Sequence, residues 1–146
     1  MDCDNDHSED PEDWKYPSDI ADAFPGVAFA VHYSRNHMKV KNGKPARPKF
    51  HVFFAIDPVT DAEQYASLKK LVNTIFPYFD TKALDAARFF FGTKNPQVEI
   101  FDGPMTLTTF LADDDIMPTW TVAGTAILSL RKEAATRLCP TSPGRS

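Results

Sequence analysis

Arg47-Pro48-Lys49-Phe50-His51-Val52-Phe53-Phe54-Ala55-Ile56 alternates in the way a half-buried strand does, with Phe50, Val52 and Phe54 on one face and Lys49 and His51 on the other. Aromatic and β-branched residues dominate it, so Lys49 to Ile56 is predicted as a strand whose Phe/Val face meets the core. Its other face then presents a cation and an imidazole side by side. Upstream, Val27-Ala28-Phe29-Ala30-Val31-His32-Tyr33 is a second strand candidate. Residues 34–48 between them are polar and basic with an Asn42-Gly43 turn signal, which predicts a long-looped hairpin.

Outward from this hairpin, residues 5–16 read as an acidic loop, and Asp19 to Phe24 as a short helix stopped by Pro25-Gly26. Asp61 opens the firmest helix, with Gln64 as its capping-box partner and Tyr65, Leu68, Val72, Ile75 and Phe76 at helical spacing before Pro77. Arg88-Phe89-Phe90-Phe91 and Val98-Glu99-Ile100-Phe101 flank a Gly92-Thr93-Lys94-Asn95-Pro96 turn and predict a second hairpin. Residues 106–112 suit a short helix, Asp113-Asp114-Asp115 and Pro118 a break, and 123–138 a final helix. The expected class is α+β, with residues 1–112 as one domain and 113–146 as a C-terminal helical extension or linker.

Twelve phenylalanines in 146 residues suffice for one packed core. No run approaches the roughly 20 apolar residues of a membrane span, and Met1-Asp2-Cys3-Asp4-Asn5-Asp6 is unlike a signal peptide, so a cytoplasmic location without membrane partners is expected. Cys3 and Cys139 lack the spacing of a disulfide framework or zinc site. The net charge of -4 argues against bulk coating of nucleic acid, but the charge is unevenly spread. Nine of the twenty acids lie in residues 1–22, and none lies between Asp22 and Asp57, where Arg35, Lys39, Lys41, Lys44, Arg47 and Lys49 gather with His32, His37 and His51. Two solvated surfaces of opposite sign would read the same way. So would an acidic metal site beside a basic loop that meets phosphates.

Asp2 and Asp4 share one face if their segment is a strand, and two carboxylates so placed repel unless a cation sits between them. A hard ion such as Mg²⁺ is the natural occupant, although a solvated acidic terminus is the plainer alternative. A calcium loop through Asp2, Asp4 and Asp6 is rejected, because His7 stands where that loop needs glycine. Lys49 and His51, with Arg47 before them, could bind the oxygens of a triphosphate, or form a merely polar strand face. Asp80 and Asp85 precede Arg88, and either acid could complete a metal site or simply cap a turn.

Together these pieces resemble the archaeo-eukaryotic primase superfamily, and within it the bifunctional primase/polymerase domains of phages, plasmids and mobile elements. Met1-Asp2-Cys3-Asp4 is similar to the first motif, hDhD; Lys49-Phe50-His51 to the second; Phe79-Asp80 to the third, a hydrophobic residue followed by an acid. Arg88 and Gly92-Thr93-Lys94-Asn95 look like the continuation of the third motif, and Ser34-Arg35-Asn36-His37 and Asp85-Ala86-Ala87-Arg88 like flanking phrases. The resemblance covers roughly residues 1–112; Gly124-Thr125 is at most a remnant of a C-terminal segment.

The resemblance implies an antiparallel sheet of the RNA-recognition-motif type backed by helices, and a DNA primase/polymerase that joins a nucleoside triphosphate to a primer 3′ hydroxyl on a DNA template, in some relatives beside a helicase. It implies Asp2, Asp4 and Asp80, with Asp85 in reserve, as ligands of Mg²⁺ or Mn²⁺; His51, Arg47, Lys49 and Arg88 as nucleotide contacts; and Arg35, His37, Lys39 and Lys41 as nucleic-acid contacts. Family domains carry more chain before the first motif, so the fold is expected to be incomplete at the N-terminus, with Asp2 and Asp4 on a frayed strand and activity weak or lost. A non-catalytic DNA-binding module of the same fold and a metal-dependent nuclease are the rival expectations.

Overall fold

The computed structural model describes residues 1–113, an α+β arrangement with one four-stranded antiparallel sheet. The strands β1 (Asp2–Cys3), β2 (Phe29–Tyr33), β3 (Phe50–Phe54) and β4 (Val98–Phe101) lie in the order β1-β3-β2-β4. Three helices accompany them: α1 (Pro17–Ala23), α2 (Ala62–Ile75) and α3 (Leu107–Asp113). The expected final helix, Gly124-Thr125 and Cys139 fall outside the described residues. Among the described residues, no helix is long and apolar enough to cross a membrane.

The period-two pattern sorts the sheet into two faces. Phe50 and Val52 are buried in the core with Phe29, Val31 and Cys3, and Phe54 packs against them. Leu68, Val72 and Phe76 of the α2 stripe join that core, as do Ile20 and Phe24 from the α1 segment and Leu107, Phe110 and Leu111 from α3. Asp61 caps α2 by accepting from the Gln64 N–H at 2.8 Å, and Asp19 closes the first turn of α1 by accepting from the Tyr16 N–H at 2.7 Å. On the opposite face, cross-strand register lines up Asp2, His51, His32 and Val98 as one row, and Phe53, Ala30 and Ile100 as the next.

The first hairpin forms as expected, but the second does not. β4 pairs with the free edge of β2, while Arg88-Phe89-Phe90-Phe91 is not a strand. The physical reason lies in its side chains: Phe89 and Phe91 are exposed, and Phe90 leans on the outer sheet face against His51 and Phe53, at 4.4 and 5.7 Å between ring centroids. The segment therefore arches over the face rather than extending its edge.

The expectation of a frayed first strand is also corrected. Met1 is buried, its amine donates to the Val52 carbonyl at 2.7 Å, and its own carbonyl accepts from the Val52 N–H at 2.8 Å. Burial, helped by the Lys69 charge, pushes the amine down to about 5, so it sits in the core uncharged at neutral pH.

Candidate metal centre and cleft

β1 projects Cys3 into the core and so turns Asp2 toward the outer face, where Asp4 follows just beyond the strand. Asp80 arrives from a distant loop. Phe79 is buried beside Phe76 and Phe54, and the Asp80 N–H donates to the Asp2 carbonyl at 2.8 Å. One carboxylate oxygen from each of Asp2, Asp4 and Asp80 then lies within 4.8 Å of the other two. Asp80 also caps a short 3₁₀ turn, accepting from the Lys82 N–H at 2.9 Å, so the turn role and membership of the cluster coexist.

Three carboxylates this close repel one another. The Asp4 carboxyl is held above its ordinary 3.8, first by burial and then by the Asp2 charge, with Lys49 opposing at 3.7 Å. Asp2 is only 9% exposed, and its Oδ1 has no hydrogen-bond partner. His51 Nδ1 lies 3.1 Å from that oxygen, but the two atoms are not aligned for a hydrogen bond and both are left unsatisfied. A buried carboxylate with one unsatisfied oxygen, clustered with two more acids, is a fit for a divalent cation. The donor set is all oxygen, which suits Mg²⁺ or Mn²⁺ better than a thiolate-seeking ion.

Asp2 and Asp4 line a cleft of about 300 Å³. His51, Arg35, Arg88 and Phe90 line the same cleft. Both arginines are exposed. With Nδ1 turned to Asp2, His51 has Nε2 left to offer a ligand.

The remaining candidates are distributed elsewhere. Asp85 is exposed and outside the acidic cluster; its backbone carbonyl, not its carboxylate, is engaged, accepting from Lys69 Nζ at 2.9 Å. Arg47, expected at a triphosphate, is 1% exposed and faces inward. Its Nη1 donates to the carbonyls of Asn5 at 2.7 Å and Ser8 at 3.2 Å, and its guanidinium packs near Trp14, so it anchors the acidic loop. His37 Nδ1 accepts from the Lys49 N–H at 3.1 Å, which makes it a strut of the 34–48 loop. Lys39 and Lys41 are exposed on that loop and do not line the cleft.

Asn5 escaped the reading of the sequence. It is buried at a positive φ of 53°, and its amide bonds Lys15 N at 2.6 Å and the carbonyls of Lys15 and Pro48, both at 2.9 Å. It fixes the turn directly after Asp4. An asparagine between two aspartates was the available signal, because Asn tolerates the left-handed region better than most residues.

Among known proteins, no family model, no curated protein and no solved structure matches the chain.

Proposed function

We propose that this chain is a nucleotidyltransferase of the primase/polymerase type, with a sheet of the RNA-recognition-motif kind, acting in DNA replication on primer, template and nucleoside triphosphates. The observation that carries the reading is the convergence of Asp2, Asp4 and Asp80, two of which, Asp2 and Asp4, line a cleft with His51, Arg35 and Arg88. Acids and cations lining one cleft suit a substrate with several phosphates and a hydroxyl nucleophile.

In this reading Asp2, Asp4 and Asp80 hold Mg²⁺ or Mn²⁺. When bound, such ions neutralise phosphate charge and make a hydroxyl easier to deprotonate. Arg35 and Arg88 receive phosphate oxygens by bidentate hydrogen bonds, and His51 Nε2 donates to another. Lys49 sits 3.7 Å from both Asp4 and Asp6 and limits the repulsion within the acidic group. Phe90 covers one side of His51 and reduces water access to it.

The test is extension of a labelled primer on a longer template with deoxynucleotides or ribonucleotides and Mg²⁺ or Mn²⁺. Extension that disappears with Asp4→Asn is the expected result. Shortening of the strand would instead make the centre a nuclease, and strand binding with neither outcome would leave a non-catalytic module.

A further inference from the structure

The outer sheet face does not end at the acidic cleft. Phe90 and Phe91 line the cleft and also a second hollow of about 320 Å³, floored by Ala30, His32 and Phe53 and closed by Val98. The rings of His32 and His51 lie nearly parallel, 11° apart, at 5.7 Å between centroids. Around them Phe53, Phe91, Val98 and Ile100 are all exposed, at 47%, 72%, 53% and 65%. Two strand rows and one arching loop thus present apolar and aromatic surface to solvent. A single acid, Asp2, stands in those rows, at their cleft end.

We infer that this face is a stacking platform for the unpaired bases of a single-stranded nucleic acid, laid from the acidic cleft across β3 and β2 to β4. The choice of occupant rests on the proposed nucleotide-handling role of the cleft, and three features favour it. The surface is continuous with the cleft through Phe90 and Phe91. Arg35 and Arg88 are placed to meet the backbone of a strand entering there, while the hollow beyond is lined, among the described residues, by no acid that would repel it. The rings of Phe53 and Phe91 are exposed, and such rings are the surface on which bases stack irrespective of their identity. A duplex, with its bases already stacked on one another, has no use for such a surface.

The experiment measures anisotropy of two fluorescent oligodeoxynucleotides of equal length, one with bases and one abasic, binding to the full chain in EDTA. Phe91→Ala and Ile100→Glu are the variants, because both side chains are exposed and leave the core untouched. The base-bearing strand should bind more tightly than the abasic one. Phe91→Ala should weaken it about tenfold, in line with loss of one stacked base, and leave the abasic strand nearly unaffected, whereas Ile100→Glu should weaken both strands through its added charge. Equal binding of the two strands overturns the inference, as does unchanged affinity in both variants. A variant that alters self-association in sedimentation, but not strand binding, overturns it too and makes the face an interface between copies. Because EDTA removes metal-dependent chemistry, base-dependent binding without primer extension would retain the platform and refute the polymerase reading. Extension by a chain with no base-dependent binding would do the reverse.

Discussion

The backbone N–H of Asp80 donates to the backbone carbonyl of Asp2 at 2.8 Å. This main-chain bond joins a loop to the first strand and carries the third carboxylate to the other two. It is indifferent to the side chain, so Asp80→Asn should keep the fold while removing one carboxylate of the proposed metal site. Mn²⁺ affinity, measured by titration calorimetry, should drop roughly a hundredfold, about 2.7 kcal/mol. Asp85→Asn should leave it unchanged, since that carboxylate lies outside the cluster. Equal losses in both variants would dissolve the assignment.

Asp4 should limit stability where the ion is absent. Its folded-state pKa lies above the unfolded 3.8, so the folded form binds more protons and stability falls as pH rises from 3.8 through the folded value. At neutral pH the charge works against folding. Asp4→Asn should therefore melt at a higher temperature than the parent in EDTA at pH 7, with the difference shrinking toward pH 4. Added Mn²⁺ should raise the parent's melting temperature and not the variant's. A variant that melts lower in EDTA would mean that the Lys49 contact outweighs the repulsion.

The alternation of residues 49–54 made the central hairpin and its buried face legible, and the capping box at Asp61 did the same for α2. Both signals are local. The partner of β4 was not legible, because Arg88 to Phe91 has strand composition, and only tertiary context reveals that Phe90 leans on the outer sheet face. Spacing put Asp2 with Asp4, and Lys49 with His51, on shared faces, but their convergence was implied only by the family resemblance, and which of Asp80 and Asp85 joins the acidic cluster depends on a backbone bond that no pattern encodes. The burial of Arg47 was not legible for a related reason. Its position in a basic run suggests exposure, but the carbonyls of Asn5 and Ser8 draw it inward.

Arg47 should accordingly matter for stability. Its buried guanidinium bonds two carbonyls of the acidic loop and lies 3.5 Å from the exposed Asp6 carboxylate. Arg47→Ala leaves those carbonyls unsatisfied and opens a void, costing about 3 kcal/mol in urea unfolding. Arg47→Lys should recover only part of this, since an ammonium cannot reproduce the fork. A change in nucleotide affinity at unchanged stability would return Arg47 to the substrate.

Below neutral pH the basic loop should loosen through His37. Burial holds its folded pKa below 6.5, and its Nδ1 must be unprotonated to accept from the Lys49 N–H. For a depressed histidine the unfolded chain takes up the proton first, so stability is full above pH 6.5 and declines as pH falls below it toward the folded value. His37→Phe keeps a ring beside Tyr33 but cannot titrate. It should lose about 1 kcal/mol at pH 8 with the missing hydrogen bond, and show a shallower fall in melting temperature between pH 7 and pH 5. Parallel curves would assign the acid sensitivity to another group.

Asn5 should govern the proposed metal site from outside it. At φ 53° any replacement with a Cβ and no compensating side chain is strained by about 1 kcal/mol or more, and three amide hydrogen bonds are lost besides. Asn5→Ala should cost about 3 kcal/mol. Asn5→Gly restores the backbone freedom but not the bonds, and should fall between Ala and the parent. The glycine variant is the informative one, because it folds while the turn after Asp4 is released. Its Mn²⁺ affinity should fall by about tenfold although every carboxylate remains, as expected when a ligand must be ordered on binding. Parental affinity in Asn5→Gly would show that β1 alone positions Asp4.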